Sequence, residues 1–132
     1  MNDAKDSLRI IVADASKVTR KMIGKVIAES VPEAEVVGCN TAAEALEQCD
    51  LGAVDLVTTA LSLPDMDGLG LCQKIRESQR YIPIIVVSGE VNDRLVRRDM
   101  TDDVTDYFDK SHGFKALGAF VRGYVCPDES VT

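Results

Sequence analysis

The chain has 132 residues and a net charge of −7, which gives one domain with a single real core and excludes a surface built for nucleic-acid phosphates, since those want a basic patch. No apolar run approaches a membrane span, and Met1-Asn2-Asp3-Ala4-Lys5-Asp6-Ser7 lacks the basic-then-apolar pattern of a secretory leader, so a cytoplasmic protein is expected. Its four cysteines (Cys39, Cys49, Cys72, Cys126) form no Cys-x-x-Cys pair and His112 is the only histidine, so all four are read as small core residues rather than metal ligands.

Leu8–Ala13 is a continuous apolar run after a polar leader, the pattern of a central parallel strand. Asp14 stands at its end, and Ser16 can cap a helix whose inner face reads Val18, Met22, Ile23, Val26 and Ile27 until Pro32 stops it. Residues 35–39 read as a short strand. Thr41 then caps a second helix carrying Ala42, Ala45, Leu46 and Cys49, which Gly52 breaks. Residues 55–59 are rich in β-branched side chains and form a third strand, and a helix over 69–79 presents Leu71, Cys72 and Ile75. Residues 82–87 are the most strand-like run, with Pro83 tolerable only near its start.

Residues 91–100 predict a highly charged fourth helix with few apolar anchors (Val91, Leu95, Val96). Residues 104–108 form the last strand, 109–113 a loop, and a final helix carries Phe114, Leu117, Phe120, Val121 and Tyr124. Strands alternating with helices predict a parallel sheet with helices on both faces. The acidic group Asp99, Asp102, Asp103, Asp106 and Asp109 reads as a solvated face, or with Arg94, Arg97 and Arg98 as a two-signed docking surface. The domain is expected over 1–126, with 127–132 a linker towards a following domain.

The stretch from Asp55 to Gly68 organises the rest. A buried strand runs into a polar turn punctuated by Pro64, Asp67 and Gly68, at the carboxyl end of a parallel strand where open α/β sheets place ligands. It resembles the third strand and following loop of the receiver domain of two-component response regulators, whose pattern is Asp-hydrophobic-hydrophobic-x-x-Asp-x-x-Met-Pro-x-Met-Asp-Gly. The resemblance runs from about Leu8 to Val125 and implies a flavodoxin-like, doubly wound sheet of strand order 2-1-3-4-5. In that family the second Asp of the pattern accepts a phosphoryl group, and here the position is Ala60. The family's acidic pair after the first strand, which helps hold Mg²⁺, is matched by Ala13 and Asp14. Its hydroxyl residue after the fourth strand is matched by Ser88, its lysine after the fifth by Lys110, and its switch aromatic by Tyr107. Ser111 stands where a proline usually follows the lysine.

Phosphoryl transfer to a carboxylate needs an oxygen nucleophile, a hard cation and positioned donors. Ala60 lacks the nucleophile, and Ala13 lacks a second carboxylate for Mg²⁺. The expectation is a degenerate, non-enzymatic receiver that binds Mg²⁺ weakly or not at all and works through protein contacts, with no nucleic acid and no membrane. Its contact face would be the fourth helix, fifth strand and fifth helix, which could also pair two copies. In this reading Asp14 is a strand-end carboxylate satisfied by Lys110 or a remnant metal ligand, and Tyr107 is a half-exposed strand residue. Two alternatives stay open: a phosphorylatable receiver with its acceptor mutated at position 60, and a flavodoxin-like nucleotide binder. Against the second, Asp14-Ala15-Ser16-Lys17 has no glycine to wrap backbone N–H groups around a phosphate.

Overall fold

A sheet built from short apolar runs must bury both faces, and among the described residues helices that follow its strands do this. The structure, a computed structural model, describes residues 8–78, 81–89 and 102–127. Its strands are β1 (Leu8–Ala13), β2 (Ala34–Cys39), β3 (Leu56–Thr59), β4 (Ile84–Ser88) and β5 (Asp106–Asp109). All pair in parallel, in the order β2-β1-β3-β4-β5. The described helices are α1 (Lys17–Ser30), α2 (Ala42–Leu51), α3 (Gly68–Arg76) and α4 (Phe114–Val125). The helix expected over 91–100 lies outside the described residues, as do Arg94, Arg97, Arg98 and Asp99.

Side-chain alternation along the strands splits the core in two. Ile11, Val57, Ile84 and Val86 pack with Ala45, Leu71, Cys72 and Ile75 of α2 and α3. Ile10, Val12, Leu56 and Ile85 pack with Ile23 and Ile27 of α1 and Leu117 and Val121 of α4. Every residue of β3 and β4 is buried. The α1 and α4 helices approach closely at Gly118, where a Cβ would lie 2.7 Å from the Val26 carbonyl.

Several expectations are corrected. Val18 and Met22 are not inner-face residues of α1: they are 70% and 44% exposed. At 3.6 residues per turn Met22 sits about 100° around the helix from Ile23 and Val18 about 140°, off the Ile23–Ile27 row that faces the sheet. Cys39, Cys49 and Cys72 are buried, but Cys126 caps the end of α4 and is half-buried. The α3 helix ends at Arg76, short of the expected 79, and β5 begins at Asp106, two positions later than expected. The loop after β5 winds into a 3₁₀ turn, Lys110–His112, closed by Gly113 at a φ of 93°, a left-handed conformation that suits glycine.

Candidate functional site

Parallel strands point their carboxyl ends the same way, so the residues after β1, β3, β4 and β5 converge. There they enclose a cavity of about 380 Å³ lined by Asp14, Ala60, Ser62, Ser88, Gly89 and Lys110, among others. Asp14, Ala60, Ser88 and Lys110, distant in sequence, thus meet at one place. Tyr107 does not line it; it is half-buried on β5 and packs against the α2–α3 layer. A groove of about 410 Å³ between α1 and β2 is slightly larger, but small residues such as Gly24, Ala28 and Ala34 dominate it and no carboxylate lines it. The convergent chemistry lies in the cavity.

Asp14 is fixed on three sides. Its N–H donates to the Cys39 carbonyl (3.0 Å), its carbonyl accepts from Arg20 Nη1 (2.7 Å), and its Oδ1 accepts from the Ser16 N–H (2.9 Å). The residue is only 5% exposed, yet among the described residues no donor reaches Oδ2. The expected pairing with Lys110 is not made: no ion pair joins the two, although both line the cavity. Sequence alone fixes which residues face a crevice but not the span across it. Lys110 opens the 3₁₀ turn, which Asp109 caps: Oδ1 accepts from the Ser111 N–H (2.9 Å), and this bond holds the Asp109 carboxyl below its usual value. Ser88 ends β4, 8% exposed.

The loop after β3 is folded back on itself. Ala60 N–H donates to the Ala13 carbonyl (3.0 Å), and Gly68 N–H donates to the Leu61 carbonyl (2.7 Å). Asp67 caps α3 by accepting from Gly70 N–H (2.6 Å). Asp65 reaches away from the cavity to α2, where Oδ1 and Oδ2 accept from the Ala42 and Ala43 N–H groups, each at 2.9 Å. Thr41 Oγ1 takes the next donor, Glu44 N–H (3.1 Å), so three of the N–H groups a helix start leaves unpaired are satisfied by side chains. This clamp between loop and helix was missed in the sequence, because nothing local marks a pairing across 22 positions.

Those two backbone bonds hold the Asp65 carboxyl below its usual value. A lowered folded-state pKa contributes stability that is complete above the unfolded value near 4 and is lost as pH falls through the folded one. Asp65→Asn is therefore expected to melt below the parent chain at neutral pH, the gap closing on acidification; melting curves of both proteins across acid pH check this. A gap that stays constant in acid would assign the loss to something other than the carboxylate.

Burial pushes the Cys39 thiol up to about 11 and the Cys72 thiol to about 12, so both stay protonated and suit packing rather than metal ligation. Mg²⁺ wants oxygen ligands in octahedral geometry, usually with one or two carboxylates. Asp14 is the one carboxylate among the residues lining the cavity, and the Ala13 methyl beside it is buried in the α2–α3 layer. Among the described residues no three His, Cys, Asp or Glu side chains converge. This donor set does not fit a resident divalent cation.

Comparison with known proteins places the fold in a family. The signature of the response regulator receiver domain matches residues 10–122. The chain is 35% identical over 83 residues to the cyclic di-GMP phosphodiesterase response regulator RpfG of Xanthomonas campestris, covering 61% of this chain and 22% of that protein. It is 35% identical over 106 residues to protein-glutamate methylesterase/protein-glutamine glutaminase 3 of Geobacter sulfurreducens, covering 78% of this chain and 28% of that one. The chain thus spans about a quarter of the length of these relatives. Among solved structures, the response regulator DrrB of Thermotoga maritima superposes with a TM-score of 0.80 at 22% identity, over 92% of this chain and 54% of that one. The receiver domain of Francisella response regulator 1452 superposes with a TM-score of 0.80 at 19% identity, over 92% and 98%. With the strand order and the matched length agreeing, this chain belongs to the response regulator receiver domain family, a signalling module of two-component systems.

Proposed function

We propose that this receiver domain signals without an aspartyl phosphate, as a non-catalytic module that acts through protein contacts. The observation that carries the reading is the residue at the end of β3: Ala60 lines the cavity at the family's acceptor position, with a methyl group where phosphoryl transfer needs a carboxylate. Ala13, expected as the second member of the metal-binding pair, instead packs into the α2–α3 core layer; the neighbour of Asp14 that lines the cavity is Ala15, which brings no second carboxylate there and so supports the reading. Ser62 also lines the cavity, but a hydroxyl lacks the carboxylate's chemistry, and Asp65 is occupied at the start of α2. The proposed contact surface is β5, α4 and the segment 91–100, offered to another protein, another domain or a second copy, in the cytoplasm and without nucleic acid. Among the described residues no helix is long and apolar enough to cross a membrane.

Intact-mass spectrometry after incubation with a small acyl-phosphate donor and Mg²⁺ tests this. The unmodified chain is expected to gain no phosphoryl mass, and millimolar Mg²⁺ to leave its melting temperature unchanged, because a ligand stabilises only through its affinity for the folded state. Ala60→Asp alone is expected to bring weak Mg²⁺ stabilisation, and Ala15→Asp with Ala60→Asp a stronger one, since both positions line the cavity beside Asp14 and crowded carboxylates gain from a cation. A phosphoryl adduct on the unmodified chain would overturn the reading.

A further inference from the structure

We propose that the cavity at the carboxyl ends of the strands is a binding site for a small free zwitterion of the α-amino acid type, its ammonium on Asp14 and its carboxylate on Lys110 and Ser88. The cavity carries opposite charges that do not satisfy each other. Asp14 and Lys110 both line it, and no ion pair joins them. On the Asp14 side, Oδ2 is closed to solvent and no donor among the described residues reaches it, so a ligand in the cavity meets it only when the carboxylate turns outward, while Oδ1 and the backbone of the same residue are committed. A buried carboxylate oxygen without a donor is costly, and it selects a ligand that brings one.

Three simpler ligands fit less well. A lone anion would satisfy Lys110 but crowd the Asp14 carboxylate and leave Oδ2 without a donor. A lone organic cation would satisfy Oδ2 but meet the Lys110 ammonium. A divalent cation meets one carboxylate, as described above. A molecule with an ammonium and a carboxylate a few bonds apart serves both walls with one body, and its N–H groups make the charge-assisted bond that Oδ2 lacks. Size agrees: about 380 Å³ is near the small end of ligand cavities, and the short Ala60 side chain keeps space open beside Ser62 and Ser88. The site is independent of the protein-contact face, so its success or failure leaves the proposed function untouched.

Glycine is the probe. Titrated into the purified chain and followed by ¹H–¹⁵N shifts, it is expected to move the amides of Asp14, Ser16, Ser88, Gly89 and Lys110 saturably. Acetate, methylammonium and glycine betaine, which has both charges but no N–H, are each expected to bind at least about tenfold more weakly, the loss of one good charge-assisted contact. Asp14→Asn and Lys110→Met are each expected to weaken glycine by a similar factor, and Ala60→Leu to abolish binding by filling the space. Lys110→Met and Ala60→Leu keep the test usable if Asp14→Asn fails to fold. No saturable shift with glycine would overturn the proposal. So would acetate binding as tightly as glycine, which would mark an anion site, or Mg²⁺ alone shifting the same amides, which would mark a cation site.

Discussion

Gly68→Ala is expected to lower the melting temperature by roughly 10 °C, for about 3 kcal/mol lost at the upper end of overpacking costs. A Cβ at Gly68 would sit 2.0 Å from the Ala60 carbonyl oxygen and 3.3 Å from Leu61 Cα. Both are backbone atoms, so no side chain can swing aside. The same residue donates its N–H to the Leu61 carbonyl, which ties the start of α3 to the end of β3. The strain therefore falls on Ala60 itself, and the substitution is expected to disturb the cavity as well as stability. Gly123→Ala supplies the opposite sign. It lies on α4 with nothing within 4 Å of an added Cβ, so alanine there is expected to stabilise by up to about 1 kcal/mol through helix propensity. Thermal melts of both variants check the pair. Equal and small effects would mean that the Gly68 loop can relax.

Arg76→Met is expected to cost about 2–3 kcal/mol while leaving the cavity unchanged. At the end of α3 the guanidinium donates from Nε to the Asp103 carbonyl (3.0 Å), from Nη1 to the Ile82 carbonyl (2.7 Å) and from Nη2 to Thr105 Oγ1 (3.2 Å). Thr105 Oγ1 in turn accepts from Ile84 N–H (2.8 Å), so one side chain joins the entrances of β4 and β5 to α3. Methionine keeps most of the apolar stem, which separates lost hydrogen bonds from lost packing. Denaturant unfolding gives the magnitude. A loss below about 0.5 kcal/mol would put Arg76 among ordinary surface residues.

The central strands were legible because parallel strands covered on both faces read as unbroken apolar runs: β1 was found to the residue. Edges were less so. In β5 only Phe108 is buried, so Val104 before the strand attracted its predicted start, although Val104 is buried outside it. The inner face of α1 misled because Val18 and Met22 share the four-residue spacing of Ile23 and Ile27 but lie on another stripe, about 140° around the helix. At the site, the motif located Asp14, Ala60, Ser88 and Lys110 at one crevice. It could not give the gap between Asp14 and Lys110 or the reach of Asp65 to α2. Those distances come from how loops pack, and no local pattern records them.

The hydrogen bond from Arg122 Nη1 to the Ser30 carbonyl joins the last helix to the first across 92 positions (2.7 Å). Beside it Leu117 and Val121 cover the same layer that Ile23 and Ile27 fill. A nascent chain lacking α4 would therefore present that layer to water, and its first helix would have a sheet on one side only. Closing so long a loop adds little entropy beyond a shorter one, since the cost grows logarithmically with length. The distance therefore costs little in stability, whereas contacts so far apart in the chain slow assembly. The two halves are therefore expected to unfold together, which coincident melting curves from two spectroscopic probes would check.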